Sequence, residues 1–248
     1  MTPAACRRRR FRRLPVLDLL AVAASLATLA KPAALAAARL DYPVVFTQEA
    51  VEPGDGPTSR VVSLGPDGRL AVLTAGFAAA ADPAVSHDGQ RLLFAGRLHP
   101  ADAWDIWEMA ADGSAKRRVT QGLGDCREPA YLAPAAVDAP NFRGKVPWAT
   151  FSSTAPAVLD ERGLGPLTSL YAITLAPVPG RGTVVWRTTY NLGGDVAPTV
   201  LRDGRVLHSA WQRAGYALMT ISWAGENLNP LYGSHDGGLS QVSACELP

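Results

Sequence analysis

The stretch from Asp82 to Thr120 decides the fold, and it reads DPAVSHDGQRLLFAGRLHPADAWDIWEMAADGSAKRRVT. Two Asp-Gly pairs, Asp88-Gly89 and Asp112-Gly113, each lie between short runs that are apolar or alternate in polarity. Asp-Gly in that setting is the strongest short hairpin signal, because the tight turn needs positive φ at its central positions. The predicted strands are Ala84–Ser86, Arg91–Ala95, Asp105–Met109 and Lys116–Thr120. Four antiparallel strands in about forty residues is the size of one β-propeller blade.

The same stretch resembles the repeat of TolB-type propellers. The usual repeat runs P-x-W-S-P-D-G-K-x-I-A-F, then D-I-Y-x-M-x-x-D-G-S, then R-L-T. The matching residues are Pro83, Ser86, Asp88-Gly89, Arg91-Leu92, Asp105-Ile106-Trp107, Asp112-Gly113-Ser114 and Arg118-Val119-Thr120. His87 replaces the usual proline and Val85 the usual aromatic residue. The full match covers this one blade, and the resemblance implies a cell-envelope protein with protein partners.

Weaker copies of the pattern predict an all-β propeller of about four recognisable four-stranded blades over residues 39–248. The blades span about 42–76, 82–122, 127–190 and 196–234, and another starts at about 240–248. Pro83, Pro129 and Pro198 hold equivalent places in three blades, and Ser243 falls where the next would be. This repetition favours a propeller over a β-sandwich, which would also show short strands and turns.

The predicted ring is incomplete. Strands at Tyr42–Thr47, Arg60–Leu64 and Arg69–Thr74 form a first blade that lacks an opening strand, whereas Val242–Leu247 looks like an opening strand without a blade. Pairing of these two ends would close a four-bladed ring and remove two exposed edges. Four blades is the low end of the usual range, so the pattern favours an interrupted, larger propeller.

Residues 1–38 are predicted to be a signal peptide or an N-terminal anchor outside the fold. A charged run, Arg7–Arg13, precedes the apolar segment Leu14–Ala30 and the small residues Ala33–Ala38, which is the order of a secretory signal. Arg8-Arg9-Arg10-Phe11 resembles the core of a twin-arginine signal. The apolar run is shorter than the roughly 20 residues that span a bilayer. We therefore expect a periplasmic or other extracytoplasmic protein that contacts a membrane only if this segment stays uncleaved.

Charge excludes one class of partner. The chain has 248 residues and a net charge of +2, and its first thirteen residues carry six arginines. Without that run the remainder is acidic, so there is no basic footprint for nucleic acid.

Residues with catalytic or ligand-binding chemistry are sparse, and we predict no catalytic residue, metal site or cofactor. His87, His99, His208 and His235 show no metal-ligand spacing. No C-x-x-C-H or G-x-S-x-G motif occurs, which argues against covalent haem attachment and a serine hydrolase. Ser234-His235-Asp236-Gly237 is interpreted as a polar turn, because triad members must converge in space. Each Asp-Gly turn offers one carboxylate, too few for calcium.

Tryptophan and cysteine leave two questions open. Most of the six tryptophans are expected to pack between blades, but Trp104 and Trp211 lie near strand ends, where rings can line a binding face. Cys126 and Cys245 start different blades, and two cysteines do not establish a disulfide without geometry.

Three functions fit these patterns. The first is a non-enzymatic, exported propeller that binds a protein or peptide partner in the cell envelope. The second is an accessory propeller domain of a larger redox or hydrolytic enzyme. The middle domain of the hydrazine synthase alpha subunit looks like a related propeller, and Cys126-Arg127-Glu128-Pro129 is weakly similar to it. The third is a truncated gene product without independent activity.

Overall fold

The computed structural model describes residues 41–50, 56–133, 146–213, 215–233 and 243–246. Within these residues the chain forms strands and no helix, and so no helix there is long and apolar enough to cross a membrane. The strands are β1 (Val44–Glu49), β2 (Ser59–Leu64), β3 (Leu70–Val72), β4 (Ala79–Val85), β5 (Arg91–Arg97), β6 (Asp105–Ala110), β7 (Arg117–Arg118), β8 (Cys126–Tyr131), β9 (Trp148–Ser153), β10 (Ser169–Thr174), β11 (Val185–Arg187), β12 (Asp195–Val200), β13 (Val206–Gln212), β14 (Gly215–Ile221) and β15 (Asn229–Tyr232).

These strands form four antiparallel sheets that correspond to four blades. Blade 1 is β1-β2-β3, blade 2 is β4-β5-β6-β7, blade 3 is β8-β9-β10-β11 and blade 4 is β12-β13-β14-β15. The predicted all-β propeller is confirmed, and the series of sheets is not closed into a ring. Blade 1 lacks an opening strand, as expected, so it has three strands where the other blades have four. The predicted signal segment, 1–38, lies outside the described residues.

Two expected strands differ from the structure. The opening strand of blade 2 starts at Ala79, before the quoted stretch, because a bulge between Ala81 and Ala84 lets the chain pair with β5 on both sides of it. The predicted opening strand Val242–Leu247 is wrong over its described part, since Ser243–Glu246 belongs to no strand. An isolated strand has no ladder partner to satisfy its backbone groups, and no fifth blade is present among the described residues to supply one.

The core lies between the blades. One cluster joins Leu93 and Ile106 of blade 2 to Phe151 and Ile173 of blade 3. A second cluster fills the contact between blades 1 and 2, and a third fills that between blades 3 and 4. Each sheet thus buries both faces only where a neighbouring sheet is present, as repeat architectures require.

A threonine closes each of the first three blades in the same way. The hydroxyl of Thr74 accepts a hydrogen bond from the Val61 N–H at 2.9 Å, and Thr120 accepts one from Ile106 at 2.8 Å. Thr189 repeats the contact in blade 3. In each blade the donor is a buried backbone N–H of the strand next to the outermost one. The short outermost strand has ended by this point, so the threonine hydroxyl accepts the bond instead.

Ile106 gives a direct test of this packing. It is fully buried in the cluster between blades 2 and 3, while its neighbour Trp107 packs on Phe77 towards blade 1 at a ring distance of 5.0 Å. We expect Ile106→Ala to lower the free energy of unfolding by about 2–5 kcal/mol, because it removes buried methylene groups and leaves a cavity. Urea denaturation measures this change. The control is Val85→Ala on β4, whose side chain is exposed and should change stability by less than about 0.5 kcal/mol. Equal effects of the two substitutions would contradict the assignment.

Candidate functional site

The innermost strands β4, β8 and β12 share a bulge just before a proline. The bulged residues are Asp82, Glu128 and Ala197, with φ of 55°, 54° and 53°. Each is followed by the proline that repeats through the sequence, and the strand register shifts at each of these places. A bulge leaves one residue unpaired with the neighbouring strand, so its backbone N–H must find another acceptor.

That acceptor is a side chain of the preceding blade. Asp82 donates its backbone N–H to the Thr47 hydroxyl at 3.1 Å, and Glu128 donates to the Asp82 carboxylate at 3.1 Å. Ala197 donates to the Glu128 carboxylate at 2.6 Å. We call Thr47, Asp82, Glu128 and Ala197 the bulge relay. It ties four successive blades together, and it ends at Ala197 because alanine has no acceptor to offer to a further blade.

Arg127 reinforces the relay at its centre. Its Nε donates to Asp82 at 2.7 Å, and its Nη2 lies 3.3 Å from the other carboxylate oxygen. The Ser152 hydroxyl donates to Glu128 at 2.9 Å. Hydrogen bonds and charge interaction with Asp82 outweigh the burial of Arg127 and raise the pKa of its guanidinium, so the group is a permanent cation. Bidentate pairing of this kind fixes the orientation of both side chains.

The same guanidinium covers Trp104, one of the two tryptophans that the sequence places near strand ends. The central carbon of Arg127 lies 4.2 Å from the Trp104 ring centroid, and that of Arg97 lies 5.2 Å away. The Trp104 backbone donates its N–H to the Asp125 carboxylate at 2.9 Å. Trp104 is therefore a half-buried ring in contact with two cations at the loop that joins β5 to β6.

Trp211 has a parallel arrangement at the end of β13. The central guanidinium carbon of Arg162 lies 4.0 Å from its ring centroid, and Tyr216 packs against it edge-on at 5.3 Å. Arg162 is itself oriented by Asp160 at 2.7 Å. Trp104 lies in the connection between β5 and β6, and Trp211 lies in β13 next to the turn into β14, which is the same end of the second strand in blades 2 and 4. Both rings therefore lie on the same face of the propeller, and each is covered by an arginine from blade 3.

Three of the remaining tryptophans pack between blades, as expected. Trp148, Trp186 and Trp223 form one aromatic group in the cluster between blades 3 and 4, with ring distances of 5.4, 5.3 and 4.9 Å. Edge and offset contacts of this kind add stability beyond burial alone.

A buried polar pair lies on β12 and β13 of blade 4. His208 Nε2 is 3.6 Å from Asp195 Oδ1, and both residues are 1% exposed. Burial raises the pKa of Asp195 and lowers the pKa of His208, so the site disfavours charge on both groups. Neither Asp195 Oδ2 nor His208 Nδ1 has a hydrogen-bond partner among the described residues. The strand register places His208 where blade 2 has Phe94, and Asp195 where blade 2 has Ala80.

The other sequence candidates lie apart from one another. His87 is in an exposed turn, and His99 bonds to Asp102 at 3.0 Å. Cys126 is buried and Cys245 is exposed, and both are free thiols; burial raises the pKa of Cys126 to about 11. Within the described residues no three His, Cys, Asp or Glu side chains come together as metal ligands. The Ser234-His235-Asp236-Gly237 turn lies outside the described residues.

The relay residues were missed by sequence reasoning. The signal was available, because Asp82 and Glu128 each precede a repeated proline, and Arg127 precedes Glu128. Nothing in the spacing says that the carboxylate of one blade meets the backbone of the next, since that contact spans 46 residues for Glu128 and Asp82 and 69 for Ala197 and Glu128.

We expect Asp82→Ala to destabilise the fold by about 1–3 kcal/mol, because it leaves the Glu128 N–H and the Arg127 guanidinium without their acceptor. Asp82→Asn is the matched control: it keeps an acceptor oxygen and tolerates positive φ, so it should lose less. Free energies from urea denaturation test the order. Equal losses for both variants would show that the carboxamide cannot replace the hydrogen bonds and that charge alone matters.

The buried pair predicts a different outcome. We expect the double variant Asp195→Ala/His208→Phe to be at least as stable as the natural chain, because it restores the residue types that blade 2 buries at these positions. Each single substitution should be less stable than the double variant, since it leaves one buried polar group without the other member of the pair. A double-mutant cycle in urea measures the coupling. A double variant that is less stable than either single one would contradict this interpretation.

Comparison with known proteins agrees with the fold. No family model matches the chain. In sequence it is 28% identical over 218 residues to hydrazine synthase subunit alpha of Kuenenia stuttgartiensis, and the alignment covers 70% of this chain and 27% of that protein. The chain thus spans less than a third of the length of this relative.

Solved structures show the same similarity. Hydrazine synthase of Kuenenia stuttgartiensis superposes with a TM-score of 0.66 at 27% identity, over 79% of this chain and 32% of that one. A TolB from Agrobacterium tumefaciens gives 0.56 at 18% identity, over 77% and 61% of the two chains. TolB from Acinetobacter baumannii gives 0.50 at 19% identity, over 74% and 39%. The predicted resemblance is confirmed: the chain has the β-propeller fold of the TolB structures, and it is similar to a part of hydrazine synthase subunit alpha.

Proposed function

We propose that this protein is an exported, non-enzymatic propeller that binds a protein or peptide partner in the cell envelope. The observation that carries the proposal is the pair of arginine-covered tryptophans on one face, Trp104 with Arg97 and Arg127, and Trp211 with Arg162. Tryptophan and arginine are the residues most enriched where alanine substitution costs binding energy. Loops on a rigid scaffold are the usual place for recognition.

The chemistry of this face suits a peptide. An indole ring gives a large contact area at low entropic cost, and a stacked guanidinium still offers donors to backbone carbonyls and carboxylates. The bulge relay fixes part of this face, because Asp82 holds the guanidinium of Arg127 that covers Trp104. A site whose side chains are held in place before binding loses less entropy when a partner arrives.

Export is supported by the order of charged, apolar and small residues in 1–38 and by the resemblance to TolB. The partner is accordingly sought in the cell envelope.

A photo-crosslinking amino acid at Ala103, an exposed position beside Trp104, tests the proposal. We expect a crosslinked partner from the envelope fraction, and a loss of about tenfold or more in its affinity on Trp104→Ala. The same amino acid at His87 is the control, because that exposed turn lies at the other end of β5 and hence on the opposite face. Crosslinking of equal strength at both positions, or none at Ala103, would contradict a binding role for this face.

The second candidate is an accessory propeller domain of a larger enzyme. Its specific support is the 28% identity to hydrazine synthase subunit alpha, of which this chain matches 27%. Genomic neighbours that encode multihaem proteins would favour this candidate, whereas Tol-type envelope neighbours would favour the first. Continued propeller repeats in the DNA downstream of the Pro248 codon would favour a truncated gene product instead.

A further inference from the structure

Among the residues that the structure describes, none occupies the innermost strand position of blade 1. Its sheet has the order β1-β2-β3, and β1 corresponds to the second strand of the other blades. The register shows this, because Phe46 pairs with Val62 as Phe94 of β5 pairs with Trp107. The edge of β1 that faces away from β2 is where an innermost strand would pair. An edge of this kind is a template for an added strand.

Blade 1 also exposes the face that the other blades bury. Val44 and Phe46 are 44% and 37% exposed, whereas Leu92 and Phe94, at the equivalent positions of blade 2, are 1% and 0% exposed. Leu92 and Phe94 are covered by the preceding blade. The face is extended by further exposed apolar residues, namely Tyr42, Leu70 and Val72. Blade 1 therefore carries the residue types of a blade that has another blade in front of it.

The segment Ser243–Glu246 has the features of an innermost strand but belongs to no sheet. Ser243 has φ of 58°, matching the bulged residues Asp82, Glu128 and Ala197 of the three innermost strands. This match is one residue earlier in the repeat than the predicted match of Ser243 with the prolines. Ala115, Ala157, Arg213 and Asn227 also have positive φ, so the angle alone does not identify a bulge. Ser243 follows Ala197 by 46 residues, the spacing that separates Asp82 from Glu128, and its position in the repeat therefore also fits an innermost strand. The segment pairs with no strand, and the Glu246 carboxylate accepts a hydrogen bond from the Arg202 N–H at 2.8 Å. It lies against blade 4, at the turn between β12 and β13.

We infer that two copies of this chain exchange these features: Ser243–Glu246 of one copy adds to β1 of the other and completes its blade 1. The incoming strand continues the order seen inside the chain, where the innermost strand of each blade follows the preceding blade. Blade 1 of the second copy then packs against blade 4 of the first copy. Its exposed face is covered by that blade, as Leu92 and Phe94 are covered by blade 1. The contact thus continues the apolar packing of the three interfaces between blades that the chain already makes, without a relay bond, because Ala197 has no side-chain acceptor.

Symmetry limits the product. Each copy gives one strand and accepts one, so a reciprocal exchange gives a dimer with twofold symmetry, in which the described blades of the two copies form one series. Ser243–Glu246 does not complete blade 1 of its own chain in this structure, because it is held at Arg202 and no described residue forms a fourth strand of blade 1.

The repeat fixes the register of the added strand. If Ser243 takes the place of Asp82, Cys245 takes that of Ala84, which pairs with Leu93. Leu93 corresponds to Val45 in blade 1. Residues opposite each other on antiparallel strands have Cα atoms about 4.5–5.5 Å apart, within the range of a disulfide. Cys245 is an exposed free thiol, so the natural chain already carries half of the crosslink.

The first experiment oxidises the full chain carrying Val45→Cys. We expect a disulfide between Cys245 and position 45 of another copy, seen as a covalent dimer on non-reducing gels and identified by peptide mapping. Val45→Cys/Cys245→Ser is the control and should give no such dimer. A disulfide between the same two positions within one chain would overturn the exchange in favour of self-closure. Absence of any disulfide between them would overturn it as well.

The second experiment leaves the cysteines alone and measures mass in solution by light scattering. Proline cannot adopt positive φ, so Ser243→Pro should shift the dimer to monomer by about tenfold or more in dissociation constant. Ser243→Gly keeps that conformation accessible and should leave the dimer intact. A natural chain that is monomeric, or a Ser243→Pro variant that dimerises as well as Ser243→Gly, would overturn the inference. Partner crosslinking at Ala103 is read separately, so either proposal can fail without the other.

Discussion

The structure depends on how each bulged innermost strand finds an acceptor for its free backbone N–H. A buried donor without a partner costs about 1–3 kcal/mol, so the free N–H of every bulge needs an acceptor. Here a side chain of the preceding blade is the acceptor, and these side chains are Thr47, Asp82 and Glu128. The bulge thus interrupts the ladder within one sheet, and the N–H that it frees forms the hydrogen bond to the preceding blade. Blades that are satisfied this way cannot be rearranged independently.

The relay also links the fold to the proposed binding face. Asp82 accepts from both the Glu128 backbone and the Arg127 side chain, so one carboxylate serves the contact between blades and holds the cation over Trp104. A substitution at Asp82 therefore alters the position of Arg127 over Trp104, although Asp82 itself does not contact Trp104. Trp211 is covered through another route, by Arg162 from the long β9–β10 connection, and so is less dependent on the relay.

The three interfaces between blades differ in chemistry although the backbone repeats. Blades 1 and 2 meet through Phe94, and blades 2 and 3 through Phe151. Blade 4 places His208 at the same register position, with Asp195 beside it. The third interface therefore combines the stacked tryptophans with a polar pair whose burial is poorly compensated by hydrogen bonds. Stability is distributed unevenly along the series of blades, and exposed apolar surface remains on blade 1, where no neighbour covers it.

Local signals determined much of this fold. Asp-Gly turns and alternating runs predicted the strands of blade 2, because turn conformation and strand alternation depend on neighbouring residues alone. The repeated prolines placed the blades, and the missing first strand of blade 1 could be read directly. The relay, the arginine over each tryptophan and the pairing of His208 with Asp195 were decided by tertiary structure. These contacts join residues from different blades or from distant turns, and no local pattern encodes which side chains the packing of sheets brings together. The same reason explains Ser243–Glu246: its sequence has the form of an innermost strand, but a strand exists only where another backbone pairs with it.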